Sequence, residues 1–107
     1  MAKAGFQFAA KVSDVPEGRA RKVVVGDQEI ALCHVNNRFF AISNVCAHQH
    51  FSALHLGLIE GETLTCPMHG WTYSLETGVA VTGEGRVRVF AIEVEGGRIY
   101  VETPESS

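Results

Sequence analysis

Two short runs in this 107-residue sequence pair a thiol with an imidazole: Cys46-Ala47-His48 and Cys66-Pro67-Met68-His69, with seventeen residues between His48 and Cys66. The cysteine comes first in each run, and both runs fall in loops between strand candidates. A thiolate and an imidazole one or two residues apart on a tight loop can face the same point. Two such loops brought together offer two soft sulfurs and two nitrogens, which is a metal-binding donor set. Taken singly, a loop histidine is usually a surface residue and a lone cysteine a small buried apolar group; the ordered repetition of the pair argues for ligation. Zinc is the rival occupant, because Cys2His2 also makes structural zinc sites. The usual zinc finger, however, pairs Cys with Cys and His with His, at C-x2-4-C and H-x3-5-H, whereas each pair here is mixed.

The elements that must position these loops read as many short strands. Phe6 to Lys11 is one; Arg19 to Val25, the turn pair Gly26-Asp27 and Glu29 to Val35 form a hairpin. The turn Asn36-Asn37 leads into Arg38 to Ile42, which completes a meander. Along the second strand of that hairpin Ile30 and Leu32 share one face while Ala31, Cys33 and Val35 share the other, so both faces are expected to be buried. Near the other end Gly96-Gly97 separates Val87 to Glu95 from Arg98 to Val101, a second hairpin expected to close the sheet with Ile99 and Val101 facing the core. Within Val87 to Glu95 the apolar residues switch parity, from Val87 and Val89 to Phe90, Ile92 and Val94, which predicts a bulge or a change of strand partner near Phe90. The middle, 43–85, is glycine-rich and irregular, with short strand candidates at Leu58 to Glu60, Thr63 to Thr65 and Trp71 to Ser74. Sustained helical periodicity is absent, the polar tail Pro104 to Ser107 is expected to fray, and the fold class is all-β in one domain spanning 1–107.

Composition narrows the function. Nine Lys plus Arg stand against 12 Asp plus Glu, and a formal charge of -3 leaves no basic excess for gripping a phosphate backbone, so nucleic acid is not an expected partner. No apolar run is long enough for a membrane helix, and the first ten residues lack the apolar core of a secretory signal; a cytoplasmic protein is expected. Three cysteines, an odd and sparse count, disfavour a disulfide scaffold. From Phe39 through Gly85 there is no Lys or Arg, while Glu60, Glu62, Glu76 and Glu84 are present, so the segment with the Cys/His pairs is acidic. His50 reads as a polar surface histidine, as do His34 and His55, and Cys33 as packing rather than a ligand.

The pattern C-x-H, seventeen residues, C-P-x-H, followed by Gly70-Trp71, Tyr73 and Thr77-Gly78, resembles the Rieske [2Fe-2S] family, most closely its small soluble ferredoxins. With the strands on either side, the resemblance covers nearly the whole chain. It implies an antiparallel β-sandwich or barrel carrying a small cluster-binding subdomain of two loops, here about 43–85. It further implies one [2Fe-2S] cluster per chain, with one iron held by Cys46 and Cys66, the other by His48 and His69, and two bridging sulfides. Two thiolates then leave the oxidised centre neutral, where four would leave it doubly negative, so an added electron meets less negative charge and the potential lies above that of plant-type ferredoxins.

Departures from relatives in respiratory complexes point to the low end of the family's potentials. Those proteins carry a disulfide between the cluster loops, where this sequence has Phe51 and Met68, and a serine hydroxyl bonding a sulfide, where it has Trp71. Tyr73 keeps the place of the tyrosine that bonds a cysteine sulfur. Pro67 is expected to fix the second loop, since it lacks an N–H and has little freedom, and Trp71 to shield the cluster, mark a docking surface or anchor the core. Many members pack a proline-containing third loop over the cluster; here 81–85, Val-Thr-Gly-Glu-Gly, has no proline and is expected to form a tight turn.

By resemblance the histidine ligands lie at the surface, where an acceptor could approach, and the chain has no Gly-x-Gly-x-x-Gly after a strand and no separate substrate-oxidising iron site. The expected role is a monomeric one-electron shuttle, not itself an enzyme, that docks transiently with a flavoprotein reductase and a terminal ring-hydroxylating oxygenase. The alternative is a small subunit like that of NADH-dependent nitrite reductase, and a structural zinc module ranks last.

Overall fold

The computed structural model of the chain describes residues 5–45, 54–67, 70–83 and 85–102. Its strands run β1 (Phe6–Lys11), β2 (Arg19–Val25), β3 (Gln28–Val35), β4 (Arg38–Ser43), β5 (Leu58–Glu60), β6 (Thr63–Thr65), β7 (Thr72–Ser74), β8 (Ala80–Thr82), β9 (Val89–Phe90), β10 (Ile92–Glu95) and β11 (Arg98–Glu102). All named pairings are antiparallel, in three sheets ordered β1-β11-β10, β2-β3-β4-β9 and β5-β6-β7-β8. Two single-turn 3-10 helices, Val12–Asp14 and Leu54–Leu56, complete the described elements.

The alternation of apolar residues on β3 and β4 decides how the sheets stack. Ala31, Cys33 and Val35 of β3, with Phe40 and Ile42 of β4, pack against Leu54, Leu64, Cys66, Tyr73 and Leu75 of the β5–β8 region. Ile30 and Leu32, with Ala41, pack the opposite way, against Val25, Phe90 and the Ile99 and Val101 of β11. Five successive-face residues of β3, from Ile30 to Cys33 and again Val35, are buried, as their composition predicts. The meander sheet is therefore the middle layer. The β10–β11 hairpin does not close that sheet, as the sequence alone suggests; it pairs with β1 and forms a separate layer over the Ile30/Leu32 face. Its pairing with β1 joins residues almost a chain length apart, such as Phe6 with Glu102, and no local pattern announces such a contact.

The parity switch near Phe90 marks the crossing between layers. Val87 is buried in the core shared with Cys66, Phe90 in the opposite core, and between them β9 pairs with β4 while β10 turns away to pair with β11. Strand β4 runs one residue beyond its expected end, and Trp71 lies just outside β7. Strand β8 has no sequence signal of its own: Val81 is exposed, and its pairing with β7 shifts register between Thr72 and Tyr73.

Since Leu32 is fully buried and Val24 is 62% exposed, Leu32→Ala should lower stability by about 2–5 kcal/mol. Val24→Thr should stay within about 0.5 kcal/mol. Urea unfolding midpoints at matched m values measure both.

Candidate metal centre

Of the four expected ligands, Cys66 is described; Cys46, His48 and His69, like His50, Phe51 and Met68, lie outside the described residues. Cys66 directly follows β6 and is fully buried, in the same core as Leu54, Leu64 and Tyr73. Its turn is closed by the main chain: Gly70 N–H donates to the Cys66 carbonyl at 3.1 Å, and Cys66 N–H donates to the Trp71 carbonyl at 2.7 Å. Gly70 takes the left-handed φ of +72° that this reversal needs. Pro67 stands exposed within the turn, where its missing N–H leaves no unsatisfied donor.

The two Cys/His-bearing segments come together at their described ends. Val45 and Leu54 bracket the first loop, and Leu54 shares a core with Cys66 of the second. The exit of the first loop passes through Gly57, where a Cβ would lie 2.1 Å from the Thr65 carbonyl oxygen and 3.1 Å from that of Leu54. Only a residue without a side chain lets the chain pass this close to the strand end that carries Cys66. Antiparallel pairing of Leu58 with Thr65 then holds the exit beside it.

Tyr73 is fully buried in the same core as Cys66. Trp71 is half-buried and packs against that core. Its indole rests on Gly83, where a Cβ would stand 2.5 Å from the ring, and Gly83 itself has a φ of +98°. Ala80 N–H donates to the Gly85 carbonyl at 3.0 Å, and Val79 bridges Arg86. Of the segment expected to be a tight turn, Val81 and Thr82 belong to strand β8 and Glu84 lies outside the described residues, while the Trp71 indole covers Gly83.

Other cysteine and histidine residues take definite places. Cys33 is fully buried and burial pushes its thiol up to about 12, as befits packing. His34 is not a free surface side chain: Nδ1 lies 2.8 Å from the Val15 carbonyl, so it is protonated and donates; Nε2 lies 3.4 Å from Glu17, and the ring stacks on Phe39. Glu17 also accepts the N–H groups of Asn36 and Asn37 in the left-handed β3–β4 turn. His55 is half-buried and tied to Asn44, a residue overlooked in the sequence reading. Asn44 Oδ1 accepts the His55 N–H at 2.6 Å, and His55 Nδ1 lies 2.9 Å from Asn44 Nδ2 and 3.3 Å from its Oδ1. The shorter contact, to Nδ2, is a hydrogen bond in the neutral tautomer with its proton on Nε2. Burial, and then the charge of Lys22, lower the pKa of His55. The available signal was a lone amide, Asn44, at the end of an apolar strand two residues before Cys46.

The sequence profile described as the Rieske [2Fe-2S] domain matches residues 5–93. The 3-phenylpropionate/cinnamic acid dioxygenase ferredoxin subunit of Escherichia coli (strain K12) is 34% identical over 101 residues, covering 92% of this chain and 94% of its own. Among solved structures, the ferredoxin in a complex of reduced oxygenase and oxidized ferredoxin of carbazole 1,9a-dioxygenase superposes with TM-score 0.83 at 29% identity, covering 94% of each chain. A protein described as an NADH-dependent nitrite reductase small subunit from Mycobacterium tuberculosis has TM-score 0.86 at 19% identity, covering 94% of this chain and 96% of its own, a likeness of fold.

Two outcomes follow from these contacts. The chain has a single tryptophan, so Gly83→Ala, which drives a methyl into the Trp71 ring, should shift its fluorescence emission to the red as the indole is lifted off. Because the pKa of His55 is depressed on folding, the stability tied to its neutral form is present above the ordinary value of 6.5 and is lost as pH falls below it. Thermal unfolding scanned from pH 7 to pH 5 should therefore show a smaller acid loss in His55→Gln than in the wild type.

Proposed function

Because the chain belongs to the Rieske [2Fe-2S] domain family, we propose that it is the ferredoxin component of a ring-hydroxylating dioxygenase system. It takes single electrons from an NAD(P)H-dependent flavoprotein reductase and passes them to a terminal oxygenase, catalysing no net reaction alone. The observation that carries this reading is the near full-length match, in both directions, to a dioxygenase ferredoxin subunit. The likeness to a nitrite reductase small subunit is one of fold alone, so the integral-subunit alternative has less behind it.

The assigned ligands are Cys46 and Cys66 on one iron and His48 and His69 on the other. When bound, a [2Fe-2S] group supplies reversible one-electron exchange. The residues fit it. A thiol and an imidazole on each of two loops are the donors the family's mixed-ligand centre uses, and Cys66 stands in a turn closed by main-chain hydrogen bonds. Burial of Cys66 with Tyr73 keeps water from the sulfur side, where a hydrated thiolate would bind iron less firmly. Pro67 and the Trp71–Gly83 contact hold the second loop in place without an added disulfide.

Partner choice follows from charge. The segment 39–85 carries Glu60, Glu62, Glu76 and Glu84 and no Lys or Arg, so it steers the ligand loops toward basic surfaces on a reductase and an oxygenase in turn. A carrier that presents one face to two successive partners works as a monomer through small, short-lived interfaces. We place it in the cytoplasm, as one domain across 1–107; among the described residues no helix is long and apolar enough to cross a membrane.

Purified protein should be red-brown, with two irons and two labile sulfides per chain and, on dithionite reduction, an EPR signal of average g below 2. Its midpoint should lie toward roughly -150 mV, the low end for this ligand set. Cys66→Ser should abolish the signal. A colourless protein holding one zinc would overturn the site assignment, a strongly positive midpoint the tuning argument, and tight co-purification with a large sirohaem subunit the shuttle role.

A further inference from the structure

Among the described residues the one buried side chain that is neither apolar, aromatic nor a cysteine is that of Asn44. A buried amide is retained only where hydrogen bonds replace its lost water, and several of those of Asn44 run to the Leu54–His55 segment. Its Oδ1 accepts the N–H of His55 at 2.6 Å, its Nδ2 lies 2.9 Å from His55 Nδ1, and its main-chain carbonyl accepts the N–H of Leu54 at 3.1 Å. On the other side its own N–H donates to the Glu29 carbonyl at 2.9 Å, at the start of β3. One residue thus joins both ends of the first ligand loop and ties them to the middle sheet. Leu54 and His55 are where the chain returns from that loop, and Val45, the next residue after Asn44, is where it leaves.

We propose that Asn44 is a positioning residue for the metal centre: its side chain closes the loop carrying Cys46 and His48, and so fixes where those two ligands stand. This rests on the reading of Cys46 and His48 as ligands. A loop held only by its chain ends samples many separations, whereas ligand geometry must be kept within about half an ångström. The clamp is short, buried and anchored in the most protected sheet, and it sits two residues before Cys46. Loss of the acceptor leaves the His55 N–H and its neighbours to open with the loop, and the iron environment changes with it.

The test compares two substitutions in the cluster-loaded full chain. Asn44→Asp keeps an oxygen to accept the His55 N–H; Asn44→Leu fills a similar volume and accepts nothing. The readouts are the EPR g values of the reduced protein and the half-life of the visible absorbance in excess chelator. Asn44→Leu should broaden and shift the g values and shorten the half-life about tenfold, the effect of one lost buried hydrogen bond; Asn44→Asp should keep the wild-type g values and stay within about twofold. Equal behaviour of the two, or a larger effect in Asn44→Asp, would overturn the proposal. If Asn44→Leu does not fold, His55→Ala and His55→Pro ask the same question from the exposed side. The first keeps the N–H and the second removes it, so faster cluster loss in His55→Pro supports the clamp and equal loss refutes it. Iron and sulfide in the wild-type protein separate the two claims. A wild type that holds no cluster fails the ligand reading, and a loaded wild type with indifferent variants fails the clamp alone.

Discussion

Strand β3 leaves no face to water, and that condition organises the molecule. A strand buried on both sides needs a cover on each, and in a chain this short each cover must be assembled from distant pieces. One is built from the first strand and the last hairpin, the other from the β5–β8 region whose loops carry the Cys/His pairs. The ligand loops are therefore not appendages on a finished sandwich. Their roots, at Leu54 and Cys66, are core residues, and the same packing that hides Ala31, Cys33 and Ile42 brings those roots together. Local unfolding of the second layer would expose this core and release the turn that holds Cys66, so the order of that turn and the stability of the sheet are coupled.

Much of this is written plainly in the sequence because it is local. The unbroken apolar run from Ile30 to Cys33 betrays a strand with two buried faces, and the parity switch at Phe90 betrays a chain changing layers. The two Cys/His pairs are legible because ligand chemistry restricts residue type at fixed spacing. Other features escaped because nothing nearby specifies them. The β1–β11 pairing joins opposite ends of the chain, and β8 is a three-residue edge whose outward valine resembles loop. His55 looks like any surface histidine until the fold brings it to Asn44, and a lone asparagine gives no hint of its partner. Gly57 and Gly83 were equally mute, since what they accommodate, a strand carbonyl and an indole, comes from other parts of the chain.

A disulfide between ligand loops acts covalently, by limiting how far they can separate. This chain has no cysteine to spare for one at Phe51 or Met68 and relies on close approach instead: Gly57 against Thr65, Trp71 on Gly83, and an amide joining Asn44 to the returning chain. Contacts of that kind need no oxidising compartment, which suits a protein whose working state must accept electrons.

Cys33 shows what the middle layer does for the third thiol. At neutral pH a group with a pKa of about 12 is ionised to roughly one part in a hundred thousand. Iron and sulfide delivered to a newly folded chain are captured by thiolates, and a competing thiolate a few strands away would divert them or trap a partly built centre. Sealed between β2 and β4, a thiol held in its neutral form takes no part in that competition once the sheet has folded.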